Sequence, residues 1–140
     1  MMFQTPPCLY KQSDFRRYQM SNAAKNWCFT INNYTEDELE LMSDLSTRIP
    51  NEISYLIIGK ETGENGTPHF QGYIQMVKKL RLGQIRNLLG GRAHCEIMAP
   101  NSTPWAASTY CKKEGDFQEW GQLQNRGILD DCYMRLIIDE

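Results

Sequence analysis

His69-Phe70-Gln71-Gly72-Tyr73-Ile74-Gln75-Met76 is the stretch on which the fold turns. In an extended strand successive side chains point to opposite faces. His69, Gln71, Tyr73 and Gln75 then share one face, and Phe70, Ile74 and Met76 share the other. The apolar set belongs in a core beneath helices. The polar set reads as an open face with one aromatic in it.

The neighbouring segments fit a sheet built around this strand. Just before it, Thr62–Pro68 holds two glycines, an asparagine and a proline, as a loop does. Ile53–Lys60 upstream is a strongly apolar strand. Further back, Thr35-Glu36-Asp37-Glu38 is a capping box, and Leu39, Met42 and Leu45 follow at helical spacing. Trp27–Ile31 is a strand of aromatic and β-branched residues, closed by Asn32-Asn33. Downstream, a helix is expected from about Leu80, with Leu82, Ile85, Leu88 and Leu89 on one face and Gly90-Gly91 as its stop. Ala93–Met98 reads as a strand. Thr103-Pro104 starts a third helix that Gly115 should stop. Phe117–Trp120 is a short last strand.

The order β-α-β-β-α-β-α-β predicts an α+β fold of the ferredoxin-like or RRM-like kind. A central antiparallel sheet of about five strands should carry helices packed on it. Residues 25–121 are expected to form the domain. Residues 1–24 read as a flexible N-terminal extension, with Met20 as an alternative start, and residues 122–140 as a tail or linker in which Tyr133–Ile138 packs or frays.

Composition narrows the class. The chain has 140 residues, one domain's worth. It contains no apolar run near the roughly 20 residues a membrane helix needs, and its N-terminus has no signal-peptide core. A soluble, unsecreted protein is expected. Five cysteines without C-x-x-C spacing argue for a reducing compartment and against a disulfide framework or structural zinc. The net charge is −2, yet Lys78, Lys79, Arg81, Arg86 and Arg92 follow one another with no acid between Val77 and His94. Such a basic helix segment suits phosphates, and it equally suits a solvated face.

Two groups carry chemistry. Glu61 ends one strand, and the Thr62–Pro68 loop folds it back beside His69 and Gln71. A carboxylate, an imidazole and an amide make an open site for a hard divalent ion, Mg2+ or Mn2+ rather than zinc. The same residues also read as an ordinary polar surface hairpin. Near the end of the third helix, Tyr110 and Lys113 share a face at i and i+3. A tyrosine hydroxyl can attack a phosphodiester, and a neighbouring ammonium eases its ionisation. A tyrosine packed on the sheet is the plain alternative. The glycines of Gly59–Gly66 lack the order of a phosphate loop, and His94-Cys95-Glu96 lacks metal spacing.

Three motifs, Phe29-Thr30-Ile31-Asn32-Asn33, Pro68-His69-Phe70-Gln71-Gly72 and Tyr110-Cys111-Lys112-Lys113-Glu114-Gly115, together with the carboxylate of Gly59-Lys60-Glu61, resemble the nicking domain of circovirus-like (CRESS-DNA) replication-initiator (Rep) proteins of the HUH endonuclease superfamily. The resemblance covers about residues 25–121. It implies that Tyr110 is a nucleophile leaving a 5′-phosphotyrosine and a free 3′-hydroxyl, assisted by Lys113. It implies that Glu61, His69 and Gln71 hold Mn2+ or Mg2+. The Asn32 and Asn33 region, with Lys78, Lys79, Arg81 and Arg92, would contact a single-stranded DNA origin hairpin. The host nucleus is the implied setting, with room for a homo-oligomer. Gln71 stands where the superfamily name implies a second histidine, a change that circovirus-like members share. The chain stops at Glu140 without the helicase-type ATPase that usually follows, so unwinding is not expected of it.

Two rival readings stand beside this one. One is a non-catalytic single-strand-binding module that stacks bases on Tyr73. The other is a protein-interaction domain.

Overall fold

In the computed structural model, which describes residues 22–125, the stretch at His69–Met76 lies within a longer central strand, β3 (Pro68–Leu80). β3 pairs antiparallel with β1 (Ala24–Asn32) on one side and with β2 (Ile53–Thr62) on the other. β4 (His94–Ile97) adds to β1, and β5 (Phe117–Gly121) adds to β2. The sheet order is β4-β1-β3-β2-β5. The first four strands have the split β-α-β arrangement of a ferredoxin-like fold, and β5 is the addition. The α+β expectation therefore holds.

Helix α1 (Glu36–Leu45) starts where the capping box places it. The Thr35 hydroxyl accepts from the Glu38 amide at 3.2 Å, and the Glu38 carboxylate accepts from the Thr35 amide at 3.0 Å. Met42 and Leu45 of α1, with Ile85 and Leu89 from and just beyond α2 (Leu82–Leu88), cover one face of the sheet. Trp27, Phe29, Ile31, Leu56, Ile58, Phe70 and Ile74 meet them there, all essentially sealed from solvent. Burying each large apolar side chain of this kind contributes roughly 1.5–3 kcal/mol, so this face is the main source of stability.

The other face differs from the open polar surface that alternation suggests. Gln71, Tyr73 and Gln75 are 5%, 0% and 4% exposed. α3 (Pro104–Cys111) lies over them, presenting Pro104, Ala107, Ser108 and Cys111, a stripe at helical spacing. With Cys28, Tyr55, Ile57, Tyr73 and Met98 it forms a second, smaller core. The chain beyond β5 completes the cover. Gln124 donates its amide to Gln75 Oε1 at 2.8 Å and accepts from Gln75 Nε2 at 2.7 Å. The Tyr73 hydroxyl donates to Asn26 Oδ1 at 2.8 Å. Buried polar groups are tolerable only when bonded in this way, and among the described residues none is left without a partner.

Two boundaries move. The helix expected from Leu80 starts at Leu82, so Lys78 and Lys79 belong to β3 rather than to a basic helix. Leu80 pairs with Ala24 while Gln75 pairs with Asn26, so β3 runs onward through an irregularity in which it carries the extra residues. The third helix ends at Cys111, before Gly115, and Lys112–Gly115 form a turn. Among the described residues no helix is long and apolar enough to cross a membrane. Met20 and Tyr133–Ile138 lie outside the described residues.

Candidate active site

The hairpin of β2 and β3 sets Glu61 directly opposite His69, and Gly59 directly opposite Gln71. On the other side of β3, Thr30 faces Gln71 and Asn32 faces His69. Strand alternation puts all of these side chains on the face that carries α3. His69 Nε2 lies 3.0 Å from Glu61 Oε1. The Thr30 hydroxyl donates to Gln71 Oε1 at 3.2 Å.

Gly59 brings the helix to this cluster. A Cβ at this position would sit 1.8 Å from the carbonyl oxygen of Cys111. The end of α3 therefore rests directly on strand backbone, two residues before Glu61. A glycine inside an apolar strand marks such a close approach, and that signal was present in the sequence. At Gly115, φ is +81°, a left-handed value that glycine adopts without strain, and it turns the chain into β5.

The docking carries Tyr110 and Lys113 to the carboxylate. Lys113 Nζ bonds Glu61 Oε2 at 2.5 Å and lies 4.8 Å from the centroid of the Tyr110 ring. Glu61 thus joins the two groups that the sequence sets far apart: His69 on one oxygen, Lys113 on the other. The Tyr110 phenol is pushed above its ordinary pKa, chiefly by burial. The Lys113 ammonium pulls the other way, while Glu61 and Cys111 add to the rise. The easing expected from the lysine is therefore present but outweighed. Burial disfavours the charge on Lys113, yet its bond to Glu61 raises the ammonium's pKa overall. The Cys111 thiol, pushed up to about 12 by burial and by Glu61, is not a nucleophile at neutral pH.

Carboxylate, imidazole and amide oxygen are a donor set suited to a hard divalent ion completed by water or phosphate. Among the described residues no three His, Cys, Asp or Glu side chains gather to hold a metal. Gln71 is the next residue after His69 on the same face of β3.

The basic and amide residues divide. Asn32 and Asn33 sit at the same end of the sheet as His69, where the Asn33 amide donates to the Pro68 carbonyl at 2.6 Å. Arg92 grips Glu38 with two bonds of 2.8 Å and donates to the carbonyls of Asn32 and Asn33 at 3.0 and 3.4 Å. It ties the turn after β1 to α1. Lys78 and Lys79 lie at the far end of β3, and Arg81 is the N-cap residue of α2. Nine residues from His69 to Lys78 correspond to roughly 30 Å at about 3.3 Å per residue.

A family model described as "Putative viral replication protein" matches residues 24–114, well over half of the chain. The chain belongs to this family of viral replication proteins. The matched range holds Thr30, Gly59, Glu61, His69, Gln71, Tyr110 and Lys113. The chain is similar to the replication-associated protein of pigeon circovirus, with 43% identity over 101 residues that make up 72% of this chain and 30% of the relative. The same protein of canary circovirus is 45% identical over 94 residues, 67% of this chain and 30% of the relative. That of porcine circovirus 2 is 35% identical over 109 residues, 76% of this chain and 33% of the relative. The chain thus spans about a third of the length of these viral replication proteins.

Proposed function

We propose that this domain cuts and rejoins single-stranded DNA at a replication origin, with Tyr110 as nucleophile. The observation that carries the reading is the meeting of Tyr110, Lys113, Glu61 and His69 at one end of the sheet, with Glu61 bonded to both Lys113 and His69. Tyr110 Oη attacks the scissile phosphorus as its proton passes to solvent. The P–O3′ bond breaks, the O3′ takes a proton and leaves as a free hydroxyl, and the 5′-phosphate stays on Tyr110. Rejoining is the same exchange run from an incoming 3′-hydroxyl. Lys113 sits where it can balance charge on the phosphoryl oxygens in the transition state. Glu61, His69 and Gln71 would hold Mn2+ or Mg2+, which when bound supplies positive charge at the scissile phosphate. Asn32 and Asn33 lie beside the site and are placed to touch DNA there.

The base-stacking rival loses its platform, because Tyr73 is fully buried and bonded to Asn26. The deciding assay uses manganese, an end-labelled hairpin oligonucleotide and a denaturing gel. The expected result is a covalent protein–DNA band that disappears with EDTA and with Tyr110→Phe. Tight binding without an adduct, across a panel of origin sequences, would instead favour a binding module. Binding that shows no salt dependence would favour the protein-interaction domain.

A further inference from the structure

We infer that Thr30 is a positioning residue for Gln71, fixing which end of the amide faces the Glu61–His69 cluster and so setting the site's affinity for a divalent ion. The inference rests on the proposed metal role of Glu61, His69 and Gln71.

A primary amide has two ends of nearly equal size and opposite chemistry. The oxygen accepts hydrogen bonds or ligates a cation, whereas the NH2 end only donates. A glutamine offered to a metal must therefore be oriented. Gln71 is 5% exposed, so bulk water does little to orient it. On its β2 side the neighbour in register is Gly59, which has no side chain to hold the amide. On its β1 side the neighbour is Thr30, whose hydroxyl donates to Oε1 at 3.2 Å. An amide oxygen has two lone pairs. Thr30 occupies one and leaves the other for a cation shared with Glu61 and His69. With the hydroxyl gone, the amide can turn, and the end it then offers to a cation is repulsive.

The test measures Mn2+ affinity of the full chain without DNA, from the EPR signal of free Mn2+. Thr30→Val keeps the shape and strand preference of the residue and removes the donor. It should weaken Mn2+ binding by about tenfold, the lower end of the range for lost outer-sphere partners. Thr30→Ser, which keeps the hydroxyl, should restore it. Gln71→Glu has an oxygen at both ends, so in that background Thr30→Val should cost little. This double-variant comparison also separates orientation from general damage to the fold. Wild-type affinity in Thr30→Val, or an equal loss in both backgrounds, overturns the inference and leaves the metal site standing. If wild type binds Mn2+ no better than Glu61→Gln, the metal site itself fails and the inference falls with it.

Discussion

Tyr110 meets opposing influences. Burial raises its phenol pKa above the usual value, and Lys113, 4.8 Å from the ring, works against that rise. Forming a phenolate at pH 7 costs about 4 kcal/mol for an unperturbed tyrosine of pKa near 10, and the raised pKa increases that cost. The reactive fraction is therefore small at neutral pH and grows about tenfold per pH unit. Adduct formation in single-turnover conditions, with manganese saturating, should climb from pH 7 to pH 9 and show no plateau in that window. Lys113→Met removes an influence that lowers the phenol's pKa, so its profile should shift to higher pH and its rate should be lower throughout. A flat profile in wild type would mean that ionisation of Tyr110 does not limit the reaction. Some of this was legible in the sequence, since Tyr110 and Lys113 at i and i+3 announce a shared face. Glu61 as the bridge was not, because its bond to Lys113 spans 52 residues and depends on where α3 lands.

The landing point of α3 is set at the level of elements. Its last carbonyl presses on Gly59, where a Cβ would come within 1.8 Å of the Cys111 oxygen. Gly59→Ala must lift the helix end or bend β2. Overpacking of this kind costs about 1–3 kcal/mol, which for a domain of this size lowers Tm by roughly 4–8 °C per kcal/mol. The functional loss should be larger than the stability loss. Tyr110 and Lys113 move with the helix, while Glu61 and His69 stay on the hairpin. We expect Gly59→Ala to remain folded at 20 °C by circular dichroism and to bind single-stranded DNA, yet to form adduct at least about tenfold more slowly, as misplacement of reacting groups by about 1 Å can do. Adduct formation at the wild-type rate in a folded Gly59→Ala protein would show that the contact has no part in aligning the site. Alternation along His69–Met76 showed which residues share a face. It could not show that α3 and Gln124 cover that face, because such cover is a long-range event that strand periodicity does not encode. The boundary at Lys78-Lys79-Leu80-Arg81 depends on long-range pairing in the same way. The apolar positions Leu82, Ile85, Leu88 and Leu89 mark the helix without fixing where it starts, and the pairing of Leu80 with Ala24 keeps Lys78–Leu80 in β3 with Arg81 as the helix N-cap.

Across the whole molecule, the cations that look continuous in the sequence serve separate places. Arg92 is engaged by Glu38 and by the carbonyls of the turn at Asn32 and Asn33, close to the site. Lys78 is nine residues along β3 from His69, a span of at most roughly 30 Å in an extended strand, and Lys79 and Arg81 follow it in the chain. If these three touch DNA, they touch a part of it remote from the scissile phosphate. Phosphate contacts hold and orient without reading sequence, and each one neutralised contributes about 0.7–0.9 to the slope of log affinity against log salt. Replacing Lys78, Lys79 and Arg81 together by alanine should therefore flatten that slope by about 2–3 on a long hairpin oligonucleotide, with weaker binding at low salt. On an oligonucleotide long enough to reach only the Glu61–His69 end, the triple variant should bind and form adduct as wild type does. Equal losses on long and short DNA would mean that the distant cations act through the fold rather than through phosphate. An unchanged salt slope on the long DNA would return them to an ordinary solvated face and leave Asn32 and Asn33 as the nearer candidates for DNA contact.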